Sequence, residues 1–334
     1  MKAMVLWLGL PLWLTAACSE DSSRHDGAGG DGSAPPTDGL GGTTSGDADA
    51  GTGFDADTGA EVDAGADVGT AADADTGTSV DADTDADTDS GMDPSSGCGL
   101  APPESGSYGI VANGESREYI LDVPPAYDAN TPYPIVFGFH GMGTDGELFR
   151  APFYSDLPAV MANEAILVFP TALGEPTRWE LDRDIPYFDE LLAYLKTVLC
   201  VDANRVFATG HSSGGGMTND LGCQRGDVLR AIAPVAGAGP YVFGGASCAG
   251  QVAAWITHAD NDESVDFSSG KASRDHWIEA NGCNPEDSTT VTAPECVAYN
   301  GCDSGYPVHW CVHHDNHNWP DFATQAMWDF FNSL

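Results

Sequence analysis

The sequence predicts an α/β domain with a mostly parallel central sheet flanked by helices. Three observations carry that expectation. Short apolar runs alternate with segments of helical period, the order expected when crossover helices join parallel strands. The runs are apolar throughout rather than alternating, as in strands buried on both faces. The third is the string Arg205-Val206-Phe207-Ala208-Thr209-Gly210-His211-Ser212-Ser213-Gly214-Gly215-Gly216-Met217, an apolar run, a Gly-x-Ser-x-Gly turn and a helix opening.

Taken in order, residues 108–111 and 118–123 flank Asn113-Gly114 and predict a hairpin. Residues 134–139 form a continuous apolar run ending at His140-Gly141, and residues 165–170 form another. Phe188, Leu191, Leu192, Leu195 and Leu199 recur at helical spacing within 185–199. Residues 206–208, 231–235 and 253–257 complete the strands, and helices are expected at 218–222, 272–281 and 321–331. No internal repeat and no second folded domain is evident.

Ahead of this domain, which is expected to span residues 98–334, the composition changes. Residues 1–17 carry Lys2, an apolar run from Met4 to Leu14 and then small residues. That pattern is a bacterial-type secretory leader, too short to span a bilayer. It ends in Thr15-Ala16-Ala17-Cys18, so Cys18 is the candidate lipidated N-terminus of an exported, envelope-anchored protein; plain secretion is the alternative. Residues 18–97 are dominated by Asp, Gly, Ala, Thr and Ser, with 20 acidic residues against Arg24 and Phe54 as the one aromatic. Such a segment buries too little apolar area to offset chain entropy and is expected to stay disordered, held extended by its aspartates. Alternating aspartates at 81–91 resemble calcium-loop spacing but lack the downstream bidentate glutamate, so a solvated linker is the stronger reading.

The net charge is −39. A surface this acidic excludes nucleic acid and anionic lipid as partners of a basic face, and suits a neutral polysaccharide or polyester substrate. A monomer is expected. Apart from Cys18 the chain has Cys98, Cys200, Cys223, Cys248, Cys283, Cys296, Cys302 and Cys311. An even eight in an exported chain, with no Cys-x-x-Cys pair, predicts disulfides rather than zinc. A bridge between Cys302 and Cys311, or from either to Cys283 or Cys296, would brace the segment before His317.

The chemistry starts at Ser212. Gly-x-Ser-x-Gly between strand and helix is a nucleophile elbow, in which flanking glycines let strand and helix pass. A serine nucleophile needs a base, an orienting carboxylate and oxyanion donors, and in an α/β-hydrolase the order is Ser, Asp or Glu, then His. After the strand at 253–257, Asp260, Asp262 and Glu263 compete for the acid. Before the last helix His313, His314 and His317 compete for the base, and their clustering also allows a metal site as a lesser reading. The turn Gly141-Met142 after the strand at 135–139 and the N–H of Ser213 are the expected oxyanion hole. The candidate pocket residues are His140, His211, Trp179 and Trp319, with Tyr187 and Trp310 as further aromatics.

Phe139-His140-Gly141, the string 199–215 beginning Leu199-Cys200-Val201-Asp202, and Gly301-Cys302-Asp303-Ser304-Gly305-Tyr306-Pro307-Val308-His309-Trp310-Cys311 are similar to those of the secreted feruloyl esterase and polyhydroxybutyrate depolymerase group of α/β-hydrolases. The resemblance covers the whole globular part and implies an α/β-hydrolase fold. It implies Asp262 as acid, through a His-Gly-x-x-Asp-x-x-Val pattern in which Ala259 replaces the glycine. It implies His317 as base, through Gly-Gly-His-x-x-Pro with Asp315-Asn316 in place of the two glycines. The implied reaction is ester hydrolysis through an acyl-enzyme, without metal or organic cofactor. The expected substrates are ferulate or acetate esters of plant xylan; polyester depolymerisation is the runner-up and a non-catalytic carbohydrate binder the third reading.

Overall fold

In a computed structural model the chain divides into two units, residues 1–82 and 83–334. The structure describes residues 92–241, 247–293 and 295–334. The expected leader, Cys18, most of the linker and the aspartate run at 81–91 lie outside the described residues. Residues 93–97, expected in the linker, are bonded to the folded part. Asp93 donates its N–H to Asp202 Oδ1 at 3.1 Å, and Ser95 donates N–H to Val201 O at 2.9 Å and its hydroxyl to Leu199 O at 2.6 Å.

Among the described residues ten strands form one sheet: β1 (Gly106–Ala112), β2 (Glu115–Asp122), β3 (Tyr133–Phe139), β4 (Ile166–Pro170), β5 (Val201–His211), β6 (Ala231–Val235), β7 (Ala253–Ala259), β8 (Ser288–Thr290), β9 (Cys296–Tyr299) and β10 (Val308–His313). Their spatial order is β1-β2-β4-β3-β5-β6-β7-β10-β9-β8. The six strands from β4 to β10 pair in parallel, and the antiparallel pairs lie at the two edges. The helices are α1 (Gly146–Arg150), α2 (Leu157–Met161), α3 (Leu181–Val198), α4 (Ser213–Gln224), α5 (Phe267–Ala280) and α6 (Ala323–Asn332).

Strand alternation divides the core into two layers. Ile135, Phe137, Phe139, Val206 and Ala208 face the layer shared with α3, α4 and α5. Val136, Leu167, Phe169 and Phe207 face the layer shared with α1, α2 and α6. Both faces of the inner strands are therefore sealed, which is why they read as unbroken apolar runs.

The expected elements are present, several with shifted ends. β5 and β7 run to residues 211 and 259, and α4 begins immediately after Ser212. The short helices α1 and α2 and the strands β8, β9 and β10 were not expected. Disulfides join Cys98–Cys200, Cys223–Cys248, Cys283–Cys302 and Cys296–Cys311. The direct Cys302–Cys311 alternative is thus excluded: Cys311 on β10 faces Cys296 on the neighbouring strand β9, and Cys302, in the connection between those strands, is joined to Cys283 just after α5.

Candidate active site

The site lies at the carboxyl ends of β3, β5, β7 and β10, with β6 between β5 and β7. β5 occupies the centre of the sheet and ends at His211, and Ser212 is the single residue between it and α4. Ser212 has φ 57° and ψ −119°, a left-handed conformation that a serine adopts only under constraint from its surroundings. The constraint is the close passage of strand and helix. A Cβ on Gly210 would meet Gly214 O at 2.4 Å, and one on Gly214 would meet Phe139 O at 2.0 Å. Side chains there would force the elements apart and relax the turn. The expectation of glycines that permit a tight crossing therefore has its physical cause in these two contacts.

Asp262 and His317 are brought together by β7 and β10. These strands pair in parallel, with His313 opposite Ala259, so their following loops leave the sheet side by side. Asn316 stitches the loops together. Its N–H donates to Asn261 Oδ1 at 2.9 Å and its Oδ1 accepts the Glu263 N–H at 3.1 Å. It takes φ 54°, the left-handed conformation that asparagine tolerates where two glycines are otherwise usual.

His317 Nδ1 and Asp262 Oδ2 are 2.7 Å apart, with the Asp262 side chain fully withdrawn from solvent. Asp262 Oδ1 accepts the N–H groups of Ser264 and Val265, each at 2.8 Å. Burial alone would raise this carboxyl, but the His317 bond and the two N–H groups outweigh it and hold it below the usual range. Of the three competing acids, Asp260 instead bonds the exposed His314, and Glu263 is exposed. His313 is buried with Nδ1 3.6 Å from Asp315 Oδ2. The three histidines thus face three different carboxylates, so they do not converge as a metal site would require. Ser212 and His317 are not hydrogen-bonded to each other; such contacts commonly tighten only around bound substrate.

His211 fills the space behind the elbow. It is buried, its Nδ1 lies 2.8 Å from the Tyr154 hydroxyl, and its ring lies 4.9 Å from that of His317. Burial, then the neighbouring His317, push its pKa down to about 3, so it is neutral at working pH. Gly141 follows β3 and lies against the elbow: a Cβ there would meet the Tyr154 hydroxyl at 3.3 Å and Ser212 Cβ at 3.6 Å. Ser213 opens α4, and the first N–H groups of a helix have no intrahelical acceptor. Gly141 and Ser213, two of the residues expected at the oxyanion hole, therefore border Ser212.

A cavity of about 520 Å³ opens beside Ser212, lined by Met142, Trp179, Leu181, Met217 and Val265 among others. Of the residues expected to line a pocket, Trp179 does so. Its indole donates to His140 O at 2.8 Å, which fixes the turn as well as the wall. His140 itself is a correction: it is fully buried, its Nε2 accepts the Ala172 N–H at 3.0 Å and its Nδ1 bonds Gly141 O at 2.7 Å. It braces the turn from inside. Trp319 packs edge-on against Phe149 and bonds Thr324, outside the cavity. Tyr187 lies buried under Arg117, and Trp310 stacks on Phe267. Among the lining residues that the sequence reading did not name is Asp220, buried on α4. Its signal was its spacing of seven residues from Ser213 on a helix that was expected to begin too late.

No protein-family model matches the chain. It is 31% identical to feruloyl esterase D of Neurospora crassa over 261 residues, covering 71% of this chain and 89% of that one. It is 28% identical to feruloyl esterase C of Emericella nidulans, covering 70% and 90%. Among solved structures, the acetyl xylan esterase from Aspergillus awamori superposes with a TM-score of 0.56 at 13% identity, covering 68% of this chain and 99% of that one. The fold is that of an α/β-hydrolase.

Proposed function

The chain belongs to the feruloyl esterase family and is a carboxylic ester hydrolase, and on that premise we propose that it releases hydroxycinnamate from plant cell-wall xylan through an acyl-enzyme on Ser212. In this reading His317 takes the Ser212 proton as Oγ attacks the ester carbonyl. Asp262 holds the imidazole with Nδ1 protonated and stabilises its charged form. The N–H groups of Ser213 and of the Gly141–Met142 turn receive the oxyanion. As the ester C–O bond breaks, His317 gives that proton to the departing sugar oxygen, and water repeats the cycle to free the acid.

The observation that carries the aromatic acyl group is the cavity beside Ser212, whose walls are mostly apolar and whose volume far exceeds what acetate fills. Acetate release is the second reading, favoured by the fold shared with the acetyl xylan esterase. Similarity to feruloyl esterases leaves a polyester depolymerase or a non-catalytic binder unfavoured.

Ser212→Ala is the test. It is expected to abolish turnover of both methyl ferulate and p-nitrophenyl acetate while the thermal unfolding midpoint stays within a few degrees. Near-normal rates in that variant would overturn the assignment. Export and anchoring through Cys18 are proposed from the leader alone, and among the described residues no helix is long and apolar enough to cross a membrane. Mass spectrometry of the mature N-terminus distinguishes a lipidated Cys18 from plain secretion.

A further inference from the structure

We propose that Asp220 is the specificity-determining residue that receives the 4-hydroxyl group of the hydroxycinnamoyl substrate at the far end of the cavity. The inference rests on the acyl-enzyme reading above and adds to it the group that the enzyme selects.

Four residues of α4 line the cavity: Ser213, Gly216, Met217 and Asp220. They stand at i, i+3, i+4 and i+7, so one helix face forms a wall running away from the nucleophile. Seven residues at about 1.5 Å each place Asp220 roughly 10 Å along that wall from Ser213. A hydroxycinnamoyl group spans roughly 8 Å from carbonyl carbon to 4-hydroxyl oxygen, and a hydrogen bond adds about 2.8 Å. The lengths agree.

The wall between is shaped for a flat ring. A Cβ on Gly216 would meet only Ala238 O at 3.5 Å, so the missing side chain leaves a slot. Met217, Leu181, Val265 and Trp179 supply apolar surface around it.

Asp220, a residue only 3% exposed, brings a carboxyl group to this apolar slot. Its Oδ1 accepts the Tyr241 N–H at 2.7 Å. Its other oxygen has no protein donor among the described residues, and the residue lines the cavity. A carboxylate withdrawn from water normally collects several donors. Burial accordingly pushes this group up to about 6 against the opposing pull of the Tyr241 N–H. A phenolic O–H arriving through the slot supplies the missing donor, and a 4-methoxy group does not.

The test compares kcat/KM for methyl ferulate and methyl 3,4-dimethoxycinnamate, which differ only in replacing the 4-hydroxyl by methoxy. The ratio cancels any general loss of activity. The wild-type enzyme is expected to favour the hydroxyl ester on the order of 10–100-fold, since a site built to bond a hydroxyl rejects its analogue strongly. Asp220→Leu is expected to bring the ratio to within about threefold of unity, with Asp220→Asn between. Should Asp220→Leu fail to fold, Gly216→Val tests the slot: methyl p-coumarate turnover is expected to fall tenfold or more relative to p-nitrophenyl acetate. A hydroxyl preference unchanged in the Asp220 variants overturns the inference and leaves the esterase reading intact. A wild-type enzyme that cleaves p-nitrophenyl acetate but neither cinnamate ester overturns the aromatic-acyl reading and this inference together.

Discussion

His317 Nδ1 and Asp262 Oδ2 meet at 2.7 Å although 55 residues separate them in the chain. The parallel register of β7 and β10 sets the distance, because it starts both loops from adjacent strand ends. Asp262→Asn keeps the size and the contact but presents an amide donor to Nδ1, which selects the wrong tautomer. The expected loss in kcat is on the order of 10³–10⁴-fold, with binding of ester largely retained. Steady-state kinetics on methyl ferulate check it, and a loss below tenfold would remove Asp262 from the orienting role.

The elbow, the Asp262 loop and the His317 loop were legible because each carries residues that few other local structures need. Gly210 and Gly214 are dictated by backbone contacts, and Asn316 by a left-handed turn. β10 was not legible. Its residues Val308–His313 place two histidines and a cystine in a strand, so they read as a loop rich in functional groups. The choice among three carboxylates and three histidines also lay beyond local pattern, since it depends on which side chains the β7–β10 register aims at each other. The role of His140 was misread for a related reason: only burial separates a histidine that lines a pocket from one that braces its turn.

Nothing in the sequence announced the ion pair of Arg117 with Asp184. The two meet at 2.6 Å with both side chains fully buried, and the guanidinium lies 3.9 Å from the Tyr187 ring. They tie β2 to the first turn of α3, which carries the Trp179–Leu181 wall of the cavity into place. Arg117→Met leaves a buried carboxylate with Arg183 as its one remaining cation and is expected to cost about 3–5 kcal/mol. Replacing Asp184 as well, by Leu, is expected to recover part of that loss. Urea unfolding of the single and double variants measures both, and additive losses would contradict a coupled pair.

Acid stability is expected to bear the mark of His211. Its imidazole titrates near 6.5 when unfolded and at about 3 when folded. Between those values the unfolded chain binds the extra proton, so stability rises with pH and is lost on acidification below 6.5. From pH 6.5 to 5 this one group accounts for about 2 kcal/mol. Buried His258 and His140, lowered chiefly by desolvation, act in the same direction. His211→Gln is expected to flatten the slope of unfolding free energy between pH 5 and 6.5, and an unchanged slope would contradict a neutral buried imidazole.

Bridging β9 to β10, the Cys296–Cys311 disulfide closes a segment with a sequence separation of 15 immediately ahead of the His317 loop. A loop of that size restrains the unfolded chain by about 3 kcal/mol. Cys296→Ser with Cys311→Ser is therefore expected to lower stability by that amount. Because β10 also sets the Asp262–His317 register, the same variant is expected to lose kcat before it unfolds, as hairpin and loop loosen together. Activity that persists unchanged up to the unfolding temperature would show that the β7–β10 pairing holds the register unaided.

Asp220 shifts in the opposite sense to His211. Its carboxyl titrates at 3.8 in the reference state and at about 6 when buried in the fold. A raised carboxyl contributes its full stability below the unfolded value and loses it as pH climbs through the folded one. Above pH 6 the enzyme therefore holds an ionised group that the unfolded chain would solvate better, at a cost of roughly 1–3 kcal/mol. Asp220→Asn keeps an acceptor for the Tyr241 N–H and carries no charge. It is expected to be more stable than wild type at pH 8 by about that amount, and to show no gain at pH 4. Denaturant unfolding at the two pH values gives the comparison. A variant stabilised at pH 8 yet impaired on hydroxycinnamate esters would mean that the chain keeps a destabilising carboxylate because the substrate needs it. One that loses stability at pH 8 would instead mean that the carboxylate is satisfied within the protein, leaving no acceptor for a substrate hydroxyl.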